Sequence, residues 1–129
     1  MDNLTSKELQ PYGKHYNEDD FWKKLRGIAS KVGVKVVYYA LVLYYTMTDD
    51  AVPMKYKAII AGALGYMILP MDLLPDFIPF AGLADDWAAL LAAVTYVAGA
   101  ITAPIKGKAK EKVREWFPSV TEADYGDLK

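Results

Sequence analysis

The chain has 129 residues, with 15 basic and 16 acidic side chains, a net charge of −1 and no cysteine. This length fits one domain. The lack of cysteine excludes disulfides and thiolate metal sites, and the balanced charge offers no basic excess for nucleic acid. The apolar share of 53% exceeds the ~45–50% of ordinary soluble domains. Residues 34–105 hold most of that apolar mass, while residues 1–33 and 106–129 hold most of the charge.

Residues 1–16 are polar, contain Pro11, Gly13 and the single histidine, His15, and read as a flexible N-terminal tail. The first 33 residues lack the apolar core of a secretory signal, so entry into a membrane would rest on internal segments. Asn17 is placed to cap a helix, with Glu18, Asp19 and Asp20 in its first turn, where acidic groups suit the helix dipole. Phe21, Trp22, Leu25, Ile28, Ala29 and Val32 then recur at helical spacing, with Lys23, Lys24, Arg26 and Lys31 between them. A basic amphipathic helix with an aromatic edge suits a membrane surface, and it equally suits a helix packed on a protein core.

Val34 to Met47 is apolar on nearly every side and rich in valine and tyrosine, both good strand formers. Its length and its lack of alternation favour a buried helix. Its uncharged part starts after Lys35 and ends before Asp49, short of the ~20 residues that span a bilayer. Thr48-Asp49-Asp50 breaks the pattern. The next helix should start near Pro53, because proline suits a first helical turn. It carries Lys55 and Lys57 and then runs uncharged from Ala58 to Pro70, with Gly62, Ala63 and Gly65 forming a small face for close helix approach.

The segment from Pro70 to Gly82 contains Pro70, Pro75 and Pro79 and cannot form a regular helix. It is apolar apart from Asp72 and Asp76, which is unusual for a connection and calls for cover by protein or lipid. Asp85 and Asp86 precede a second uncharged run, from Trp87 to Ile105. As one helix, at ~1.5 Å per residue, this run would cover roughly the ~30 Å thickness of a bilayer's hydrocarbon core. Lys106 to Phe117 reads as a basic helix closed by Pro118, and residues 119–129 as a frayed acidic C-terminal tail.

These elements predict an all-α fold. It is a small helical bundle, residues 17–118, built on an antiparallel apolar helix hairpin with a Pro/Asp-rich connecting turn. Basic residues flank the outer ends of that hairpin and aspartates mark its tip. If the hairpin enters a bilayer, the basic ends stay cytoplasmic, and so do both termini. The other reading is a soluble cytoplasmic bundle whose apolar helices are covered by a second copy.

The stretch Tyr66 to Asp86, YMILPMDLLPDFIPFAGLADD, closely resembles the signature of the YkvA-like family, a bacterial and organellar group of small membrane-associated proteins without an established function. The matching residues are Pro70, Asp72, Leu73, Pro75, Asp76, Phe77, Ile78, Pro79, Gly82, Asp85 and Asp86. Pro53, Lys57 and Tyr66 upstream, and Glu115-Trp116-Phe117 downstream, fall where that family tends to place the same residues. Leu69 and Leu83 stand where it commonly carries serine and tyrosine. The resemblance covers residues 52–117. It implies a membrane-linked helical domain and no reaction.

Asp72, Asp76, Asp85 and Asp86 are the one cluster suited to chemistry. Carboxylates suit a divalent cation such as Mg²⁺, Ca²⁺ or Mn²⁺, and packed together they repel unless something compensates. The structural reading gives Asp72 and Asp76 to the backbone NH groups of the proline turns, and Asp85 and Asp86 to the cap of the following helix. Tyr66, at the end of one helix, is placed to donate a hydrogen bond to a carboxylate, whereas Lys57 lies at the far end of the same helix. With no nucleophile or oxyanion donor legible, the chain is expected not to be an enzyme. Its expected role is that of a membrane-associated assembly or envelope-maintenance factor. The lipid bilayer is its expected partner, beside a second copy or another membrane protein. The alternative is a bundle binding a cation or small ligand at the aspartates.

Overall fold

The computed structural model describes residues 16–68 and 81–128, with the backbone alone at residues 66, 68, 81–88 and 127. Four α-helices carry the described chain: α1 Glu18–Met47, α2 Met54–Ile68, α3 Ala81–Val97 and α4 Ala103–Trp116. A 3-10 turn, Ala98–Ala100, follows α3, and a 3-10 segment, Glu122–Leu128, closes the chain. No strand occurs among the described residues. The fold is therefore all-α, as the periodicity predicted.

Helix α1 begins as expected. The Asn17 side chain accepts from the Asp20 N–H at 3.1 Å, and the three acids fill the first turn. Gly33, with φ 83° and ψ 177°, then interrupts the helix and divides it into arms 18–32 and 34–47. This conformation is open essentially to glycine alone. The arms do not continue in line. The Phe21 ring is stacked on the Tyr44 ring at 5.1 Å, whereas a straight helix between them would hold them about 34 Å apart. The chain reverses at Gly33, and α1 is a helical hairpin.

Arm 34–47 is the centre of the bundle. Every residue from Val37 to Leu43 is buried, so all faces of two turns are covered by protein. Helices α2, α3 and α4 and the C-terminal segment all pack on α1. This settles the helix-or-strand ambiguity of the valine and tyrosine run, since a side chain on every face of a helix can be buried at once only at a bundle centre. Thr46 is buried but satisfied, its hydroxyl donating to the Val42 carbonyl at 2.7 Å.

The turn after α1 is stapled by Asp49, whose carboxylate accepts from the Ala51 N–H at 2.8 Å, a local bond typical of aspartate in turns. Pro53 precedes α2, and its carbonyl accepts from the Tyr56 and Lys57 N–H groups. Ile59, Ile60, Ala63, Leu64 and Met67 of α2, and Ala89, Leu90, Ala93, Val94 and Val97 of α3, face the core. Gly62 and Gly65 are also buried, on the small face expected for close packing. The start of α2 lies beside the end of α3, with the Tyr56 and Tyr96 rings edge-on at 5.9 Å.

Two expectations are corrected. The uncharged run Trp87 to Ile105 is not one continuous helix. Helix α3 ends at Val97, a 3-10 turn follows, and α4 starts at Ala103. The Thr102 hydroxyl accepts from the Ile105 N–H, and Pro104 sits in the first turn of α4. This cap and proline restart the chain in a new direction. The C-terminal tail is also not frayed. Tyr125 is buried with its ring 4.6 Å from that of Tyr38, and the Tyr38 hydroxyl donates to the Leu128 carbonyl at 3.1 Å. Gly126, at φ 68°, turns the segment back on the bundle.

Candidate functional site

The aspartate cluster falls largely outside the described residues. Asp72 and Asp76, with Pro70, Pro75 and Pro79, lie in residues 69–80 and are not described. Tyr66 belongs to the last turn of α2, and Gly82, Asp85 and Asp86 belong to α3, with only their backbone described. Because α3 begins at Ala81, Asp85 and Asp86 stand in its second turn and not at its N-cap. The capping role given to them by the sequence therefore does not hold. Lys57 is half-buried in the first turn of α2, about 16 Å along the helix from Ile68 at ~1.5 Å per residue, so it sits at the base of the α2–α3 pair as expected. Among the described residues no group of three or more His, Cys, Asp or Glu is placed to hold a metal.

The basic amphipathic arm 18–32 buries its apolar face in the protein. Phe21, Leu25 and Ala29 are buried. The aromatic edge joins a cluster in which Trp22 meets Trp116 at 6.0 Å and Tyr44 at 5.0 Å. Arg26 lies 5.2 Å over Trp116 and Lys112 5.8 Å over Trp22, contacts worth about 0.5–1 kcal/mol each at such exposed sites. The cluster alters the tyrosines beside it. Burial, then the hydrogen bond to Glu18, pushes Tyr44 up to about 12. Burial also raises Tyr45 and, strongly, Tyr16; Tyr38, packed on Tyr125 away from this cluster, is raised strongly by its own burial. The arm is a packing element, and its tryptophan is spent on the fold.

Among the described residues, the large apolar side chains left open belong to α2 and α3. Met54 is 74% exposed, Tyr96 49% and Leu91 38%. Ala58 on α2, Thr95 on α3, and Ala98 and Gly99 in the turn after it are also exposed. The described side chains of this face carry no charge beyond the first turn of α2. At its base, the Lys55 ammonium lies 5.2 Å from the Tyr56 ring, which meets Tyr96. Behind that base a cavity of about 380 Å³ opens between the 49–53 turn and the end of α3, lined by Asp49, Val52, Pro53, Tyr56, Gly99 and Ile105. Sequence reading located the apolar helices but not which of their side chains the bundle would leave uncovered.

Charge and length were the grounds for a membrane reading. By length and mean hydropathy, Glu18–Met47 alone among the described helices could cross a membrane. Folded about Gly33, however, it presents two arms of about half that length. Helices α2 and α3 have 15 and 17 residues, about 22 and 25 Å, against a hydrocarbon thickness of ~30 Å.

The described residues form a small all-α bundle in which the outer sides of α2 and α3 carry exposed apolar side chains. The chain is similar over residues 56–97 to a family described as a protein of unknown function, DUF1232. The matched span runs from the base tyrosine of α2 to the last residue of α3 and contains the proline and aspartate motif. No curated protein and no solved structure matches the chain. None of these comparisons points to an enzyme family.

Proposed function

We propose that this chain is a non-enzymatic, membrane-associated helical protein of the YkvA-like group, which seats the outer face of α2 and α3 in one leaflet of a bilayer and serves as an assembly or envelope-maintenance factor. The observation that carries this reading is the exposed, uncharged set Met54, Ala58, Leu91, Thr95 and Ala98, bordered at its base by Lys55 and the Tyr56–Tyr96 pair. Tyrosine and lysine at the edge of an apolar face suit the headgroup level, the ring at the interface and the ammonium in water. The lengths of α2 and α3 favour a dipping pair over a spanning one. The basic ends, Lys55, Lys57 and Lys106 to Arg114, then remain on the cytoplasmic side with both termini.

Flotation of the purified protein with vesicles, followed by carbonate and detergent extraction, tests this. Co-flotation, release by detergent and retention in carbonate are expected. A monodisperse protein that stays at the bottom of the gradient without detergent would sink the reading.

A second role for the same chain, a divalent cation held by Asp72, Asp76, Asp85 and Asp86, rests on the sequence pattern. Binding to the folded state must raise stability by mass action, so a melting temperature unmoved by millimolar Mg²⁺, Ca²⁺ or Mn²⁺ would remove it.

A further inference from the structure

In Glu18–Met47 a single residue, Gly33, departs from helical geometry, and helix runs up to it on both sides. There is no slack between the arms. If Gly33 adopts helical angles, the two arms become one helix of 30 residues, about 45 Å long. Arm 18–32 then leaves its own bundle with its apolar face bare and exposes the complementary surface of arm 34–47 and α4.

We propose that Gly33 is a one-residue hinge through which arm 18–32 exchanges with a second copy of this chain to give a domain-swapped dimer. The partner surface is already built. Phe21 on Tyr44, Trp22 and Arg26 on Trp116, and the Tyr44 hydroxyl on Glu18 are all contacts between the arm and the rest of the bundle. Each re-forms between copies as it forms within one. The exchange is two-fold symmetric, so both copies recover the full set. Each copy exchanges a tight turn for a continuous helix, and short hinges of this kind invite swapping. A Cβ at Gly33 would meet nothing within 4 Å, and the same is true at Gly27. The side of α1 near the hinge is thus open to a second helix, and only the backbone angle requires glycine.

The test is Gly33→Ala. Alanine fits the space, resists the positive φ of this position and favours the continuous helix. Light scattering after size exclusion should show a shift toward dimer, with the dissociation constant at least about tenfold lower than the parent's. In a dimer mixed from isotope-labelled and unlabelled Gly33→Ala chains, interchain NOEs should join the Phe21 ring of one copy to the Tyr44 ring of the other, the pair stacked at 5.1 Å within one chain. A helical, monomeric Gly33→Ala overturns the proposal, and so does a dimer lacking those NOEs. If Gly33→Ala loses its helical circular dichroism, the parent is warmed to its melting midpoint at high concentration and cooled, beside a chain with two glycines inserted after Gly33. Dimer from the parent alone supports the hinge, and monomer from both, or dimer from both, overturns it.

Discussion

The ring of Phe21 lies flat on the ring of Tyr44, 7° from parallel, and this pairing closes the two arms of α1 on each other. Phe21 is fully buried, so Phe21→Ala removes both the stack and the filling of the space between the arms. We expect a loss of about 3–5 kcal/mol, the range for a buried aromatic cut to alanine, read from urea denaturation. Tyr44→Phe keeps the stack and loses an exposed hydrogen bond to Glu18, so it should cost about 1 kcal/mol or less.

The tyrosines make the bundle sensitive to alkali. Tyr44 is pushed up to about 12, chiefly by burial, and Tyr16 and Tyr38 rise as well. A folded pKa above the unfolded value of ~10 means that the native state binds more protons between the two. The contribution is complete below about pH 10 and is lost as pH rises through about 12. Melting temperature should therefore be flat from about pH 7 to 9 and fall from about pH 10 upward. Tyrosinate absorbance should appear together with unfolding. Ionisation of every tyrosine below about pH 11 with native circular dichroism would contradict this.

Tyr125 separates ring from hydroxyl. Its ring fills a buried site against Tyr38, while its hydroxyl has no hydrogen-bond partner among the described residues. Removing an unpaired buried hydroxyl relieves a desolvation cost, so Tyr125→Phe should raise stability by about 1 kcal/mol. Tyr125→Ala should lower it by about 3 kcal/mol or more and release residues 122–128 to proteolysis.

Gly126 holds that segment in its turn. At φ 68° an alanine is strained, and its Cβ would stand 2.8 Å from Cε of Lys35. The lysine tip can move, whereas the backbone angle cannot be relieved without reopening the turn. Gly126→Ala should cost about 1–3 kcal/mol, with faster amide exchange confined to the C-terminal segment.

The α2–α3 flank predicts a separation of binding from folding. Ala58 and Thr95 are exposed, so Ala58→Lys and Thr95→Lys should leave stability within about 0.5 kcal/mol while reducing vesicle flotation severalfold. Equal flotation of the double variant and the parent would show that another surface meets the lipid.

The helical class, the N-cap at Asn17 and the start of α2 after Pro53 are legible in the sequence, because caps and prolines act through local backbone geometry. The sequence also carried the proline and aspartate motif, which the family match to residues 56–97 overlaps. It misplaced the boundary of α3. Asp85 and Asp86 look like a cap but lie in the second turn, and the uncharged run through Ile105 hides the restart at Thr102, since lack of charge marks burial and not continuity. Which apolar faces the protein covers itself follows from how the helices pack. The valine and tyrosine run of arm 34–47 and the aromatic edge of arm 18–32 both suit lipid by composition. Reversal at Gly33 folds one onto the other and, among the described residues, leaves the flank of α2 and α3 as an apolar surface still open, because burial is set by what packs opposite a helix and not by the helix alone.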